Sequence, residues 1–382
     1  MRVVSLPGAL AALALLIPCA ALAQDNNIES LRSSIEELRA DYDARIAELE
    51  RRLAVAEQNA AQASYAAPTP APEPAQGQRS GNAAFNPAIG VVFQGALLGV
   101  DGPASDSEGF AVGETELIMN ANVDDKFTAY LTAALAFEDG ESELEIEEAW
   151  VETTALPAGI AARFGRISSG FGYLNAKHAH QWDFADLPLP YQAFFDGRYI
   201  DNGARLTWLA PTDLYMELGG EVLQGEGDPS GLAASTLFAN AGGDIGRSAS
   251  WLAGASHLER DAMPSLTGAH FIWKWAPDGN WKDRNFIFQT EYFDHDDVAL
   301  DGGWYAQAVF QPIPRWRIGA RADALQTDAD DPRRYSVMFD WSNSEFSRLR
   351  MQFTRDQTGV TDVNEWGLQY IHSIGAHGAH SF

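Results

Sequence analysis

A chain of 382 residues, 46% hydrophobic and 11% aromatic, is long enough for one large domain or two ordinary ones. Its formal net charge of −27, from 26 Lys and Arg against 53 Asp and Glu, leaves no basic face for phosphates and excludes nucleic acid as a partner. The one cysteine, Cys19, lies in an N-terminal apolar run, so disulfides, thiolate metal sites and cysteine nucleophiles are excluded from the rest of the chain.

Residues 1–23 read as a secretory signal peptide: Arg2, an apolar run, then Ala-Leu-Ala before Gln24. That run is too short for a spanning helix and no later one is long enough, so a membrane form would cross as strands. Over 24–60, Ile28, Leu31, Ile35, Leu38, Tyr42, Ile46, Leu49 and Leu53 recur at steps of three and four between Glu and Arg. This predicts a short α-helical coiled coil that self-associates through residues 28–60, with a stutter at Leu38–Tyr42–Ile46. Residues 61–84 are an Ala/Pro-rich linker.

From residue 85 to 382 the helical period is gone and about sixteen segments alternate apolar with polar residues. The expected fold class is all-β: a transmembrane antiparallel barrel of about sixteen strands. Connections such as VDDK (123–126), QPIP (311–314) and SNSE (342–345) are tight, whereas those between them are longer and more acidic. That alternation fits a barrel in an outer membrane, with short turns on the periplasmic side. One connection stands apart. Residues 167–199 lack strand period and are rich in aromatics, Gly, Pro and His, so they are expected to fold into the bore and constrict it. Tyr173, His178, His180, Trp182, Asp183 and Asp186 are its candidate constriction residues.

Successive strand residues face opposite sides, so the apolar set faces lipid and the charged set lines the pore. Glu114, Glu116, Glu143, Glu145 and Glu147 form an acidic ladder, though Glu148 interrupts the apolar face that Leu144, Ile146 and Trp150 define. Arg315, Arg317, Arg321, Arg334, Arg348 and Arg350 form a basic one. The two ladders are expected to face each other through water, as a transverse field. The other reading is that these charges pair along the wall. Tryptophans and tyrosines near segment ends, Trp150 and Trp251 among them, suggest interfacial girdles.

With a signal peptide, coiled coil, linker, strand pattern and terminal Phe382, the chain resembles Gram-negative porins of the phosphate-selective and dicarboxylate-type class. FNPAIGVVFQG (85–95), GRISSGFGYLNAKHAHQWDF (165–184), LTWLAPTDLYMELGGE (206–221) and IGAHGAHSF (374–382) are similar to a less characterised outer-membrane family associated with zinc acquisition. The resemblance implies a homotrimer with a periplasmic coiled-coil stalk, contact with outer-membrane lipid, passive solute passage, and recognition of Phe382 by the barrel assembly machinery. Phosphate selectivity does not carry over, because the carboxylate excess opposes a dedicated anion pore.

Five of the eight histidines cluster: His178 and His180 in the loop, His372, His377 and His380 at the C-terminus. Imidazoles at His-x-His spacing can share one zinc ion, and Asp183 and Asp186 could add oxygen ligands. Hydrogen-bonding histidines are the plainer reading, and no cofactor is expected otherwise. With no Gly-x-Ser-x-Gly elbow and no phosphate-cradling loop, an enzyme is not expected. The reading is a porin-like, cation-tolerant channel for small hydrophilic solutes in the outer membrane of a Gram-negative bacterium. A barrel for zinc or metal-chelate uptake and a non-conducting envelope protein are the alternatives.

Overall fold

The computed structural model describes Arg51 and residues 87–375, apart from 102–108, 139–140, 226–230, 262, 298 and 330. The predicted signal peptide, the coiled coil except Arg51, the linker, and the terminal His377, His380 and Phe382 lie outside the described residues.

Strands β1 (Ala88–Asp101), β2 (Gly109–Val112), β3 (Thr115–Asn122), β4 (Phe127–Glu138), β5 (Glu141–Thr153) and β6 (Ile160–Ser168) precede the long loop. After it come β7 (Ile200–Leu209), β8 (Tyr215–Leu223), β9 (Ala234–Ile245), β10 (Ala249–Arg260), β11 (Met263–Trp275) and β12 (Asn285–His295). The last five are β13 (Leu300–Ile313), β14 (Trp316–Thr327), β15 (Arg333–Ser344), β16 (Ser347–Gln357) and β17 (Val363–Gly375). Each pairs antiparallel with its neighbour, and β17 closes on β1 from Gly90↔Gly375 to Asp101↔Asn364. β2 and β3 both pair with β1 and form one stave broken at Gly113–Glu114, so the seventeen strands make a closed barrel of sixteen staves. Closure gives every stave a neighbour on both sides, which a barrel in lipid requires.

The alternation that builds the wall is plain on β16: Arg350, Gln352 and Thr354 are buried inside, while Leu349, Met351 and Phe353 stand exposed outside. On β15, Ser336, Met338 and Asp340 point in and Tyr335, Val337, Phe339 and Trp341 point out. Trp208, Trp304, Trp316, Trp341 and Trp366 are exposed, as a girdle requires. Trp150 departs from that expectation. A bulge on β5, where Thr132 and Ala133 face Glu148 and Ile146, turns both Glu147 and Glu148 inward. Every residue after it changes side, and Trp150 stacks inside the barrel on Tyr130, ring centroids 5.1 Å apart.

Strands run longer than expected and connections shorter. β1 and β13 have 14 residues and β11 has 13, beyond the roughly nine to eleven that cross a bilayer. Sequence expected to be acidic loop, such as that between β12 and β13, is largely strand, so the short-long contrast is weaker than the residues suggest. The hydrophobic core lies inside the barrel, between the long loop and the wall. Phe171, Leu174, Leu187, Tyr191, Phe194 and Tyr199 of the loop pack on Leu223, Leu258, Leu266, Phe293 and Tyr305.

Candidate functional site

The loop between β6 and β7 packs against the inner wall of the barrel, and its polar groups explain why it stays there. Glu221 on β8 accepts from Ser169 Oγ (2.6 Å) and the Gly170 amide (2.9 Å), and the Gly172 amide donates to Ser256 Oγ on β10 (3.1 Å). The fully buried Glu291 of β12 takes the Tyr173 and Leu174 amides (2.8 and 3.0 Å) and the hydroxyls of Tyr191 and Tyr305. Four donors around one carboxylate offset part of the cost of its burial. Gly172 is obligatory at this point: its φ is 68°, and a Cβ would sit 2.5 Å from Tyr191 Oη and 2.6 Å from Glu291 Oε2. Asn175 ties the two ends of the loop together. Its Nδ2 donates to Ser169 O (2.8 Å) and Tyr199 O (3.0 Å), and its Oδ1 accepts from the Tyr199 amide (2.7 Å). A short helix, α1 (Leu189–Phe195), begins after Pro188 and ends at Asp196 in the left-handed region.

The loop then meets two charged walls. Toward the acidic one, His178 donates from Nδ1 to Glu147 (3.1 Å) and from Nε2 to Glu148 (3.2 Å), and His180 Nδ1 lies 3.0 Å from Glu116. The two imidazoles stack with centroids 5.9 Å apart. Arg198, returning at the loop's end, reaches Glu147 at 2.7 Å. Burial alone would lower the basicity of His178, but its hydrogen bonds to Glu147 and Glu148 prevail and push it up to about 9.

Toward the basic wall the loop offers carboxylates. Asp183 pairs with Arg317 (2.7 Å), and Asp186 with Arg321 (2.7 Å) and Arg334 (3.1 Å) while accepting from Gln352 Nε2 (2.6 Å). Burial works against the ionised Asp186, yet Arg321 and Arg334 hold its carboxyl below the usual range. Arg348 and Arg350 donate to Trp182 O (3.1 and 2.6 Å), and Arg348 also to His180 O (3.2 Å). Arg350 and Arg317 share Asp340 on the wall itself.

The ladders therefore do not face each other across open water. The loop lies between them and presents to each the opposite charge, so the expected transverse field is largely neutralised at this level. Both earlier readings hold in part, since ladder charges also pair along the wall, as in Arg321–Asp323 (2.9 Å) and Arg334–Asp356 (2.8 Å). Glu116, Glu147, Arg317, Arg321, Arg334, Arg348 and Arg350 all converge on the loop. Glu145 remains mostly exposed beside Arg166, and Glu114 is exposed at the break between β2 and β3. Arg315 is not on a strand: it occupies the β13–β14 turn with φ 73°. Glu143 lies on β5, and its side chain is outside the described residues.

The expected metal set comes together only in part. Ligand atoms of Glu116, Glu147 and His178 lie within 4.8 Å of one another, with His180 on the same Glu116. Asp183 and Asp186 belong to the opposite wall. His372 is exposed on β17, beside the inward-facing Ile371, and does not join the loop histidines. A nitrogen and carboxylate oxygens are donors zinc accepts, but here they already bond to one another and to Arg198. Sequence reasoning did not single out Glu148, Asn175, Arg198, Glu221 or Glu291. Only Glu148 left a signal, as the break in alternation that marks the bulge.

Two cavities remain open beside the loop. One, of about 700 Å³, lies between Gly170–Lys177 and strands β5 to β11. The other, of about 660 Å³, lies under His180 and Arg348 and is rimmed by the turns at Lys282, Pro314 and Glu345.

No family model matches the chain. An uncharacterized protein of Aquifex aeolicus (strain VF5) is 29% identical over 74% of this chain and 72% of its own. Among solved structures, Pseudomonas putida OprB superposes with a TM-score of 0.56 at 11% identity, covering 76% of this chain and 94% of that one. The outer membrane channel DcaP of Acinetobacter baumannii gives 0.53 at 12% identity, covering 77% and 98%. These likenesses show the fold: this chain shares the barrel of outer-membrane porins.

Proposed function

We propose that this barrel is an outer-membrane channel through which small hydrophilic solutes pass passively, beside a loop that narrows its bore. The observation that carries this reading is the placement of residues 169–199. They are held inside the barrel from both charged walls, while cavities of about 700 and 660 Å³ beside them are lined by charged and polar side chains together with apolar ones. The apolar outer face supports a membrane setting in the envelope of a Gram-negative bacterium. The carboxylate excess supports tolerance of cations. The heptads of residues 28–60 support a homotrimer with a periplasmic stalk.

Planar-bilayer recording tests the channel directly. Purified protein is expected to give ohmic steps in KCl with a mild cation preference, and a folded protein that never conducts would contradict the reading.

The Glu116–Glu147–His178 cluster favours a second reading, binding of a divalent metal such as zinc at the loop. Zinc would have to displace the bonds to Arg198 and the proton on His178. Under this reading micromolar zinc lowers the conductance, a chelator restores it, and His178→Ala abolishes the effect. Unchanged current in zinc would remove it.

A further inference from the structure

The cavity of about 700 Å³ contains one group the structure leaves unanswered. His270 on β11 lines it, is only 8% exposed, and neither ring nitrogen has a hydrogen-bond partner among the described residues. A buried polar group without a partner costs stability and calls for an explanation. The fold makes room for this ring: a Cβ at Gly254, on the facing strand, would overlap both His270 and Asn240 Oδ1.

We propose that this cavity binds a small polyhydroxylated solute, a sugar or similar polyol, with His270 as a recognition residue. The proposal rests on the channel reading. Several charges around the cavity are already coupled: Arg163 to Glu152 (2.8 Å), Arg205 to Glu221, and Glu217 to the Tyr215 hydroxyl (2.9 Å) and the Asn240 amide (3.0 Å). These fixed pairs present donors and acceptors side by side. Neutral imidazole adds one of each, and a hydroxyl also donates and accepts at once. The Tyr173 ring lies 6.0 Å from His270, and Phe238 also lines the space. Such rings suit the apolar C–H face of a sugar. Four carboxylates, Glu152, Asp213, Glu217 and Asp244, line the same cavity against three cations, Arg163, Lys177 and Arg205, so the lining carries no positive excess to hold an anion. The volume falls within the roughly 300–1,000 Å³ of small-molecule sites.

The test is calorimetric titration of the detergent-solubilised full chain with maltose, in parallel with single-channel current in KCl as maltose is added. Saturable binding is expected, with saturable reduction of the current. His270→Ala should weaken the binding about tenfold, the loss of one well-made hydrogen-bonding group. His270→Asn, which keeps a donor and an acceptor, should recover part of it, and the exposed His257→Ala should change nothing. Calorimetry separates the two readings: binding without conductance would keep the site and remove the channel. Conductance without saturable maltose binding would overturn the site and leave the channel standing. Binding of benzoate with no response to maltose would overturn it equally.

Discussion

Asn175 shows how much of the loop's position depends on single residues. It is fully buried, and its three hydrogen bonds join the loop's first residue to its last. Asn175→Ala removes three hydrogen bonds, at the Ser169 carbonyl, the Tyr199 carbonyl and the Tyr199 amide, at about 1–3 kcal/mol for each buried group left unsatisfied, while the Tyr199 carbonyl keeps the Ser169 amide (2.9 Å). The loop should then come loose without the barrel unfolding. Limited trypsin digestion reads this, because the Arg198 side chain is only 6% exposed in the docked loop. Wild type is expected to resist cleavage there and Asn175→Ala to be cut, whereas equal resistance would show that the tie is dispensable. Asp186 gives the matching pH dependence. Its carboxyl is held below its ordinary value, so its contribution is fully present above about pH 4 and is lost as pH falls through the depressed value. Tryptic resistance after brief acid exposure should thus be flat from neutral pH to about 5 and decline only in stronger acid. Decline already at pH 6 would place the sensitive group elsewhere.

At the scale of the strand, the decisive feature is the bulge on β5. Before it the odd residues of the strand face the bore, and after it the even ones do, so Glu147 and Glu148 both reach the loop and Glu152 lines the larger cavity. With Cys19 the one native thiol, and that in the predicted signal peptide, single cysteines can report this change of side. In liposomes, Glu152→Cys should react with a membrane-impermeant thiol reagent and Val151→Cys should not. The reverse pattern would mean that β5 has no bulge. The strands themselves were legible in the sequence because a lipid-facing wall enforces a two-residue period, clearest on β15 and β16. The ingress of the loop was legible from its length and its aromatic content. The partners of its charges were not. Whether His178 meets Glu147 or Asp183 depends on which way the loop runs across the bore, and that is set by Glu291, Glu221 and Asn175, whose roles have no local signature. Arg315 misled for a similar reason: it has the right parity for the ladder, but β14 starts one residue later than the alternation implies.

For the whole molecule, the arrangement turns a charged bore into one divided by its own loop. The acidic staves hold His178, His180 and Arg198, and the basic staves hold Asp183 and Asp186, so the loop is clamped from both sides. Under the proposed channel reading, passage is left to the spaces beside it, and selectivity is expected to be set there rather than by the ladders. The most direct test replaces residues 172–196 with a short Gly-Ser link and compares single-channel conductance with wild type, after confirming that both migrate as folded, heat-modifiable barrels. The account predicts a conductance several-fold higher in the shortened protein. Equal conductance in the two would contradict it, because the loop would then lie outside the path of the ions.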